Sequence, residues 1–181
     1  MPTTKKIKVT SADILANAHK ALQPWTLSET TPEENRLDIT VDASNIKNCV
    51  QALMDVKWGY LSAITALDRA EFETAEGTTE RTPVKGKGNL EILYHFCSGP
   101  VVTTLRVALD YQKAEIDTIC DIIPSATLYE REAAELLGID FKGTPNTEHL
   151  LLPDDWPTGV YPLRKTFTGL SKKQKLGNKE K

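Results

Sequence analysis

Residues 130–135 carry four charges in a row of six, Glu130, Arg131, Glu132 and Glu135, with only Ala133 and Ala134 between them. On a helix turning roughly 100° per residue, Arg131, Glu132 and Glu135 share one face, and Tyr129, Ala133, Leu136 and Leu137 take the other. Two carboxylates three residues apart could serve hydrolysis if they flanked a cleft at about 5–9.5 Å. Arg131, four residues before Glu135, opposes that use: a neighbouring cation keeps a carboxylate ionised, whereas a general acid needs a raised pKa. A nucleophile–His–Asp set is not evident, because His19, His95 and His149 stand in three unrelated contexts. His149 is placed to touch a partner, and a self-contained hydrolase is disfavoured. The charged face is expected to make salt bridges to another subunit, an arrangement that fixes register more than it adds affinity.

Metal and phosphate chemistry find no motif. Cys49, Cys97 and Cys120 are odd in number and far apart, and no CxxC or CxxH pair seeds a zinc or iron–sulfur site. Cys49, among Ile46, Val50 and Leu53, is expected to be a small buried hydrophobe. Residues 74–88 are rich in glycine, threonine and charge but lack the strand and helix that frame a phosphate-binding loop, so a loop or irregular hairpin tip is expected. No stretch approaches the roughly 18 apolar residues of a membrane span, and no apolar run follows Lys5 and Lys6 as in a signal peptide. A cytoplasmic chain is expected. Net charge is −3, yet seven basic residues and one acid lie from Arg164 onward, leaving −9 on the first 163. Such a body repels phosphate, so no nucleic-acid partner is expected, and the basic end is read as a solvated, frayed tail.

The elements that must position these groups follow from periodicity. With 181 residues the chain holds one domain with a real core. Residues 11–22 predict an amphipathic helix capped by Ser11, with Ile14, Leu15, Ala18 and Leu22 on one stripe. Leu37, Ile39 and Val41 alternate as a half-buried strand. Ser44 is expected to cap a second helix striped by Ile46, Cys49, Val50, Leu53 and Met54. Trp58 to Leu67 predicts a strand. Leu90, Ile92, Tyr94 and Phe96 predict another, and a turn at residues 97–100 leads to a third along Val101, Leu105, Val107 and Leu109. Lys113 to Ile119 is expected to be a short helix. A better-marked helix follows Pro124, with a Thr127–Glu130 capping box and Gly138 as its left-handed cap. The expected class is α+β: helices packed on a mixed, largely antiparallel sheet, with an extended C-terminal docking arm.

From Ile139 both periodicities are lost, so the domain is expected over 1–138 and the arm over 139–181. The arm carries Phe141, Trp156, Tyr161 and Phe167, with Pro145, Pro153, Pro157 and Pro162. Structureless segments beyond roughly 12–15 residues are usually functional or disordered, and disordered ones are poor in bulky aromatics. The arm is therefore expected to lie on a partner surface, with a wrap over its own domain as the alternative.

Glu130-Arg131-Glu132-Ala133-Ala134-Glu135-Leu136-Leu137-Gly138, with Phe141 and Gly143 behind it, resembles the signature of the 30-kDa (C) subunit family of complex I. Leu150-Leu151-Leu152-Pro153-Asp154-Asp155-Trp156 and Tyr161-Pro162-Leu163-Arg164-Lys165 resemble its closing segments, and residues 60–68 and 90–95 its weaker strand motifs. The longer Pro153–Pro162 stretch is similar to the form in membrane-bound hydrogenase relatives. Thr144 and Glu148-His149 stand where the family commonly has a histidine and basic residues. The resemblance implies a peripheral structural subunit with no catalytic site and no cofactor of its own, on the cytoplasmic face of the membrane. It would lie against a hydrogenase-like large subunit and neighbouring iron–sulfur subunits, with clusters, and either nickel–iron or quinone, held by those partners. Arg131, Glu132, Glu135, Phe141, Trp156, Tyr161, Arg164 and Lys165 are the expected interface residues. The alternatives are the equivalent subunit of an energy-converting nickel–iron hydrogenase and a free-standing protein-binding module.

Overall fold

The structure, a computed structural model, describes residues 10–74, 81–84 and 87–170. The expected basic tail lies outside the described residues from position 171. Helix α1 (Ser11–Leu22) is capped by Thr10, not Ser11: the Thr10 hydroxyl accepts from the Asp13 N–H while the Asp13 carboxylate accepts from the Thr10 N–H. The next strand, β1 (Thr26–Thr30), escaped sequence reading because its mostly exposed side chains leave no alternation to detect. β2 (Arg36–Val41) buries Leu37, Ile39 and Val41 as expected. Asp42, not Ser44, then organises the turn, accepting from both the N–H and the hydroxyl of Ser44 ahead of α2 (Ile46–Asp55). Ile46, Cys49, Val50 and Leu53 form its buried stripe. Burial pushes the Cys49 thiol up to about 12, so it stays protonated and inert at neutral pH.

β3 (Tyr60–Asp68) begins after the expected Trp58, whose buried indole instead donates its N–H to the Ile14 carbonyl at 2.8 Å. Gly59 turns the chain between them at φ 66, where an added Cβ would run into the Cys97 carbonyl. β4 (Phe72–Thr74) and β5 (Arg81–Pro83) pair antiparallel, β4 leading into and β5 lying in the stretch 74–88 expected to be a loop or irregular hairpin tip; residues 75–80 and 85–86 lie outside the described residues. β6 (Asn89–Ser98) and β7 (Val101–Asp110) reverse at Gly99-Pro100 and bury Leu90, Ile92, Tyr94, Phe96, Val101, Leu105, Val107 and Leu109. The sheet order is β1-β2-β7-β6-β3, antiparallel except for the β2–β7 pair. Its apolar face joins the buried residues of the helices in one core. The alternate positions form a polar face where Arg106 bonds both Asp38 and Glu91.

The expected helix over Lys113 to Ile119 is a strand, β8 (Glu115–Asp117). Ala114, Ile116 and Thr118 are buried while Asp117 is exposed, a period of two too short to stand out in sequence. Helix α3 (Ala126–Leu137) starts before Thr127, and Ser125 gives it no side-chain cap. The expected capping box does not form because Glu130 is needed in the core. Its carboxylate, 1% exposed, accepts from the Thr118 hydroxyl at 2.6 Å, the Ile119 N–H at 2.9 Å and the Cys120 thiol at 3.3 Å. Gly138 (φ 71) does end the helix, returning its N–H to the Ala134 carbonyl at 2.8 Å. β9 (Asp140–Lys142) then pairs in parallel with β8, tying the chain into the body past the expected boundary at residue 138.

Glu130→Ala would leave those three donors without an acceptor beside a new cavity. It is expected to lower unfolding free energy by about 2–5 kcal/mol, read from the urea midpoint; an unshifted midpoint would contradict this role for the carboxylate.

Candidate functional site

From Gly143 to Leu170 the chain forms neither helix nor strand, so its backbone groups need other partners. Helix α3 supplies them. The Glu135 carboxylate, with its side chain 5% exposed, accepts the N–H groups of Leu150 at 2.9 Å, Leu151 at 2.7 Å and Leu152 at 3.3 Å, with the His149 Nδ1 at 3.2 Å. Three successive N–H groups converging on one anion form a nest. Burial opposes ionisation of Glu135, but the bonds from Leu150, Leu151, Leu152 and His149 together outweigh it and hold the carboxyl below its ordinary value. One turn earlier, Arg131 donates to the Glu148 and His149 carbonyls, each at 2.9 Å. Among the described residues no ion pair joins Arg131 to Glu135. Each charge holds backbone of the arm, and that linkage leaves no sign in the spacing of the helix.

A second clasp lies at the end of the helix. The Arg164 Nε–H donates to the Leu137 carbonyl at 2.7 Å, and its other nitrogens reach the Tyr111 carbonyl at 3.4 Å and the Gly138 carbonyl at 3.5 Å. The guanidinium lies over the rings of Tyr111 at 4.9 Å and Tyr161 at 5.0 Å. The Leu163 N–H takes the Leu136 carbonyl at 3.0 Å. These bonds satisfy carbonyls that the last turn of a helix leaves open. Gly138 must be glycine twice over: its φ is 71°, and a Cβ would come within 2.4 Å of the Tyr161 ring. The Lys165 N–H and the Tyr111 hydroxyl both donate to Asp68 Oδ2, at 2.8 and 2.9 Å, fixing the arm to the end of β3.

Between the clasps the arm arches over a cavity of about 250 Å³ lined by Arg131, Glu135, Phe141, Trp156 and Tyr161. Trp156 donates its indole N–H to the Val160 carbonyl at 2.7 Å and tilts against Phe167 with ring centres 6.3 Å apart. Phe141, expected on the arm, is a core residue of β9, 4% exposed. Of the eight residues expected at an interface, only Glu132 is exposed and without an ion pair or hydrogen bond among the described residues. Arg131, Glu135, Arg164 and Lys165, expected to bridge to a neighbour, bond within this chain: Arg131 and Glu135 hold backbone groups of the arm, while Arg164 and Lys165, on the arm, bond carbonyls and a carboxylate of the body. Tyr111 and Asp68 were missed, being 53 and 97 positions from the arm residues they hold. Among the described residues no group of three His, Cys, Asp or Glu side chains is arranged to hold a metal ion.

A lowered folded pKa means that the Glu135 clasp is fully formed above the ordinary carboxyl value of 4.5 and is lost as pH falls through the folded one. Amide protection at Leu150, Leu151 and Leu152 should therefore hold at neutral pH and collapse in acid. Glu135→Gln should lose about tenfold protection at neutral pH and respond less to acid; unchanged protection would remove Glu135 from this role. Gly138→Ala should lower Tm by about 5–10 °C, and an unchanged Tm would mean that the Tyr161 ring can yield.

Residues 39–173 match the family described as the respiratory-chain NADH dehydrogenase, 30 Kd subunit. The C subunit of the F(420)H(2) dehydrogenase of Methanosarcina mazei is 41% identical over 85 residues, 46% of this chain and 53% of the relative. The membrane-bound hydrogenase subunit beta of Pyrococcus furiosus is 48% identical over 50 residues, 28% of this chain and 29% of the relative. The C/D subunit of the NADH-quinone oxidoreductase of Chromohalobacter salexigens is 40% identical over 63 residues, 35% of this chain and 10% of the relative. The chain thus spans about half the length of the first of these relatives and less of the other two. A chain of the membrane-bound sulfane sulfur reductase, an archaeal respiratory membrane complex, shares the fold with a TM-score of 0.61 at 21% identity, over 93% of this chain and 90% of that one. Running from β2 through both clasps of the arm, the match establishes that the chain belongs to the 30-kDa subunit family of respiratory-chain NADH dehydrogenase.

Proposed function

We propose that the chain is a cofactor-free structural subunit of the peripheral arm of a complex I-like, ion-translocating oxidoreductase, bound to its hydrogenase-like large subunit. The observation that carries this reading is how the signature charges are used. Glu135, Arg131 and Arg164 spend their hydrogen-bonding capacity on backbone, turning an irregular arm into a fixed surface. Groups so engaged are poor acids, bases or ligands, but they suit a protein that holds other subunits in register. Redox centres, namely iron–sulfur clusters with either quinone or nickel–iron, then belong to the partners. The paired letters in the name of one relative, a C/D subunit, favour a seat beside the large subunit. No helix of the described residues is long and apolar enough to cross a membrane; the proposed place is peripheral, on the cytoplasmic face.

The equivalent subunit of a membrane-bound nickel–iron hydrogenase is the second reading, favoured by the 48% identity to the Pyrococcus furiosus protein. A free-standing binding module is the third and is the least favoured. Affinity purification from native membranes in mild detergent, with mass spectrometry, tests all three. A hydrogenase-like large subunit and cluster-bearing proteins should co-purify; intact nickel-binding cysteines in the large subunit would select the hydrogenase. A lone monomer would refute the subunit role. Arg164→Ala should reduce recovered complex by about tenfold or more, and full recovery would show that the second clasp does not shape the docking surface.

A further inference from the structure

Helix α3 has three differently used sides. Glu130, Ala133 and Leu137 face the core, and Arg131 and Glu135 hold the arm. At roughly 100° per residue, Leu128 and Glu132 form a ridge one turn long beside Arg131 and Glu135, on the side leading round to Tyr129 and Leu136. Leu128 is 52% exposed, and two further exposed leucines sit on segments bonded to the same helix: Leu151 at 61% and Leu163 at 59%. Both are set in place by the backbone bonds already described, Leu151 N–H to Glu135 and Leu163 N–H to the Leu136 carbonyl. Glu132, Leu136 and Leu163 also line one depression of about 210 Å³ that runs down to β3.

We infer that this ridge is a docking spot that receives a basic side chain of the partner subunit at Glu132, ringed by Leu128, Leu151 and Leu163. The inference rests on the subunit reading above and names the chemistry of its contact. Glu132 is the acid of the signature helix that has no ion pair or hydrogen bond among the described residues. Three of the six large hydrophobic side chains that the described residues expose lie on this helix or on segments bonded to it: Leu128 one turn before Glu132, Leu163 in the same depression, and Leu151, whose N–H bonds Glu135. A central charge within an apolar rim that excludes water is how a contact residue gains strength at an interface. The charge sets the partner's sign: an acid at the centre repels an anionic lipid surface and selects a lysine or arginine set in apolar surroundings. Its fixed leucines cost little ordering when the partner arrives.

The test uses the whole complex from its native membrane, with this chain tagged. Glu132→Gln should lower recovery of the co-purifying large subunit by at least about tenfold in moderate salt. Glu132→Lys should abolish recovery, while Glu132→Asp keeps part of it. The Tm of each isolated variant should match the parent, since Glu132 makes no ion pair or hydrogen bond among the described residues. A photo-crosslinking residue at Leu128 should yield an adduct with the large subunit adjacent to a lysine or arginine. Full recovery with Glu132→Lys, or an adduct with a second copy of this chain or with lipid, would overturn the inference and leave the subunit reading standing. A parent chain that recovers no partner would instead overturn the subunit reading itself, and this inference with it.

Discussion

An irregular segment laid on a protein surface must find a partner for each backbone N–H and C=O that it removes from water. In this chain the Glu135 carboxylate meets most of that requirement at the critical turn, taking the N–H groups of Leu150, Leu151 and Leu152. The anion is buried, and burial alone would cost it dearly. Three charge-assisted bonds from successive amides offset that cost because they arise from a single turn of backbone, whose geometry is fixed once. Residues 143–165 follow from this clasp: the Arg131 bonds to residues 148 and 149, the arch over the cavity, and the return of the chain to the end of α3.

Arg164 completes the return. A helix end exposes carbonyls, and a planar cation with several donors is well suited to them, more so when aromatic rings cover its faces. Tyr111 and Tyr161 supply the rings, and Gly138 supplies the space, since any side chain there would collide with Tyr161. Asp68 then joins β3, the loop after β7 and the arm through a single carboxylate oxygen. The ends of the arm are thus fixed to different elements of the body, so the stability of the arm is coupled to that of the sheet.

Pre-ordering has a consequence for assembly. A segment that folds only on binding loses conformational entropy at that moment, and this weakens association. An arm already strapped to its own helix presents its outward side chains without that loss. The polar groups that look from sequence like docking contacts bond within this chain, and the large hydrophobic side chains left exposed on α3 and the arm are Leu128, Leu151 and Leu163.

Much of the sheet was legible in the chain itself. The alternation in Leu37, Ile39 and Val41, and again from Leu90 to Leu109, follows directly from burying one face of a strand, and the stripes of α1 and α2 follow from the helical repeat. Gly138 was legible because a left-handed cap favours glycine. The signature charges were legible as a cluster, but their partners were not. The spacing of Arg131 and Glu135 predicts a local pair, whereas backbone groups 15 to 17 residues further on win Glu135, since amides with no other acceptor gain more from the carboxylate than an exposed guanidinium would. Glu130 was misplaced for the same reason: a helix start in water invites a capping carboxylate, but the buried donors of residues 118–120 had a stronger claim on it. Local periodicity therefore determined the long strands β2, β6 and β7 and the helices, and Gly138 marked the cap, while the short or exposed strands β1, β8 and β9 left no such signal. Only tertiary structure decided which acid holds the core, which holds the arm and which has no bonded partner among the described residues, because burial sets the cost of leaving a donor unpaired and burial is not a local property of sequence.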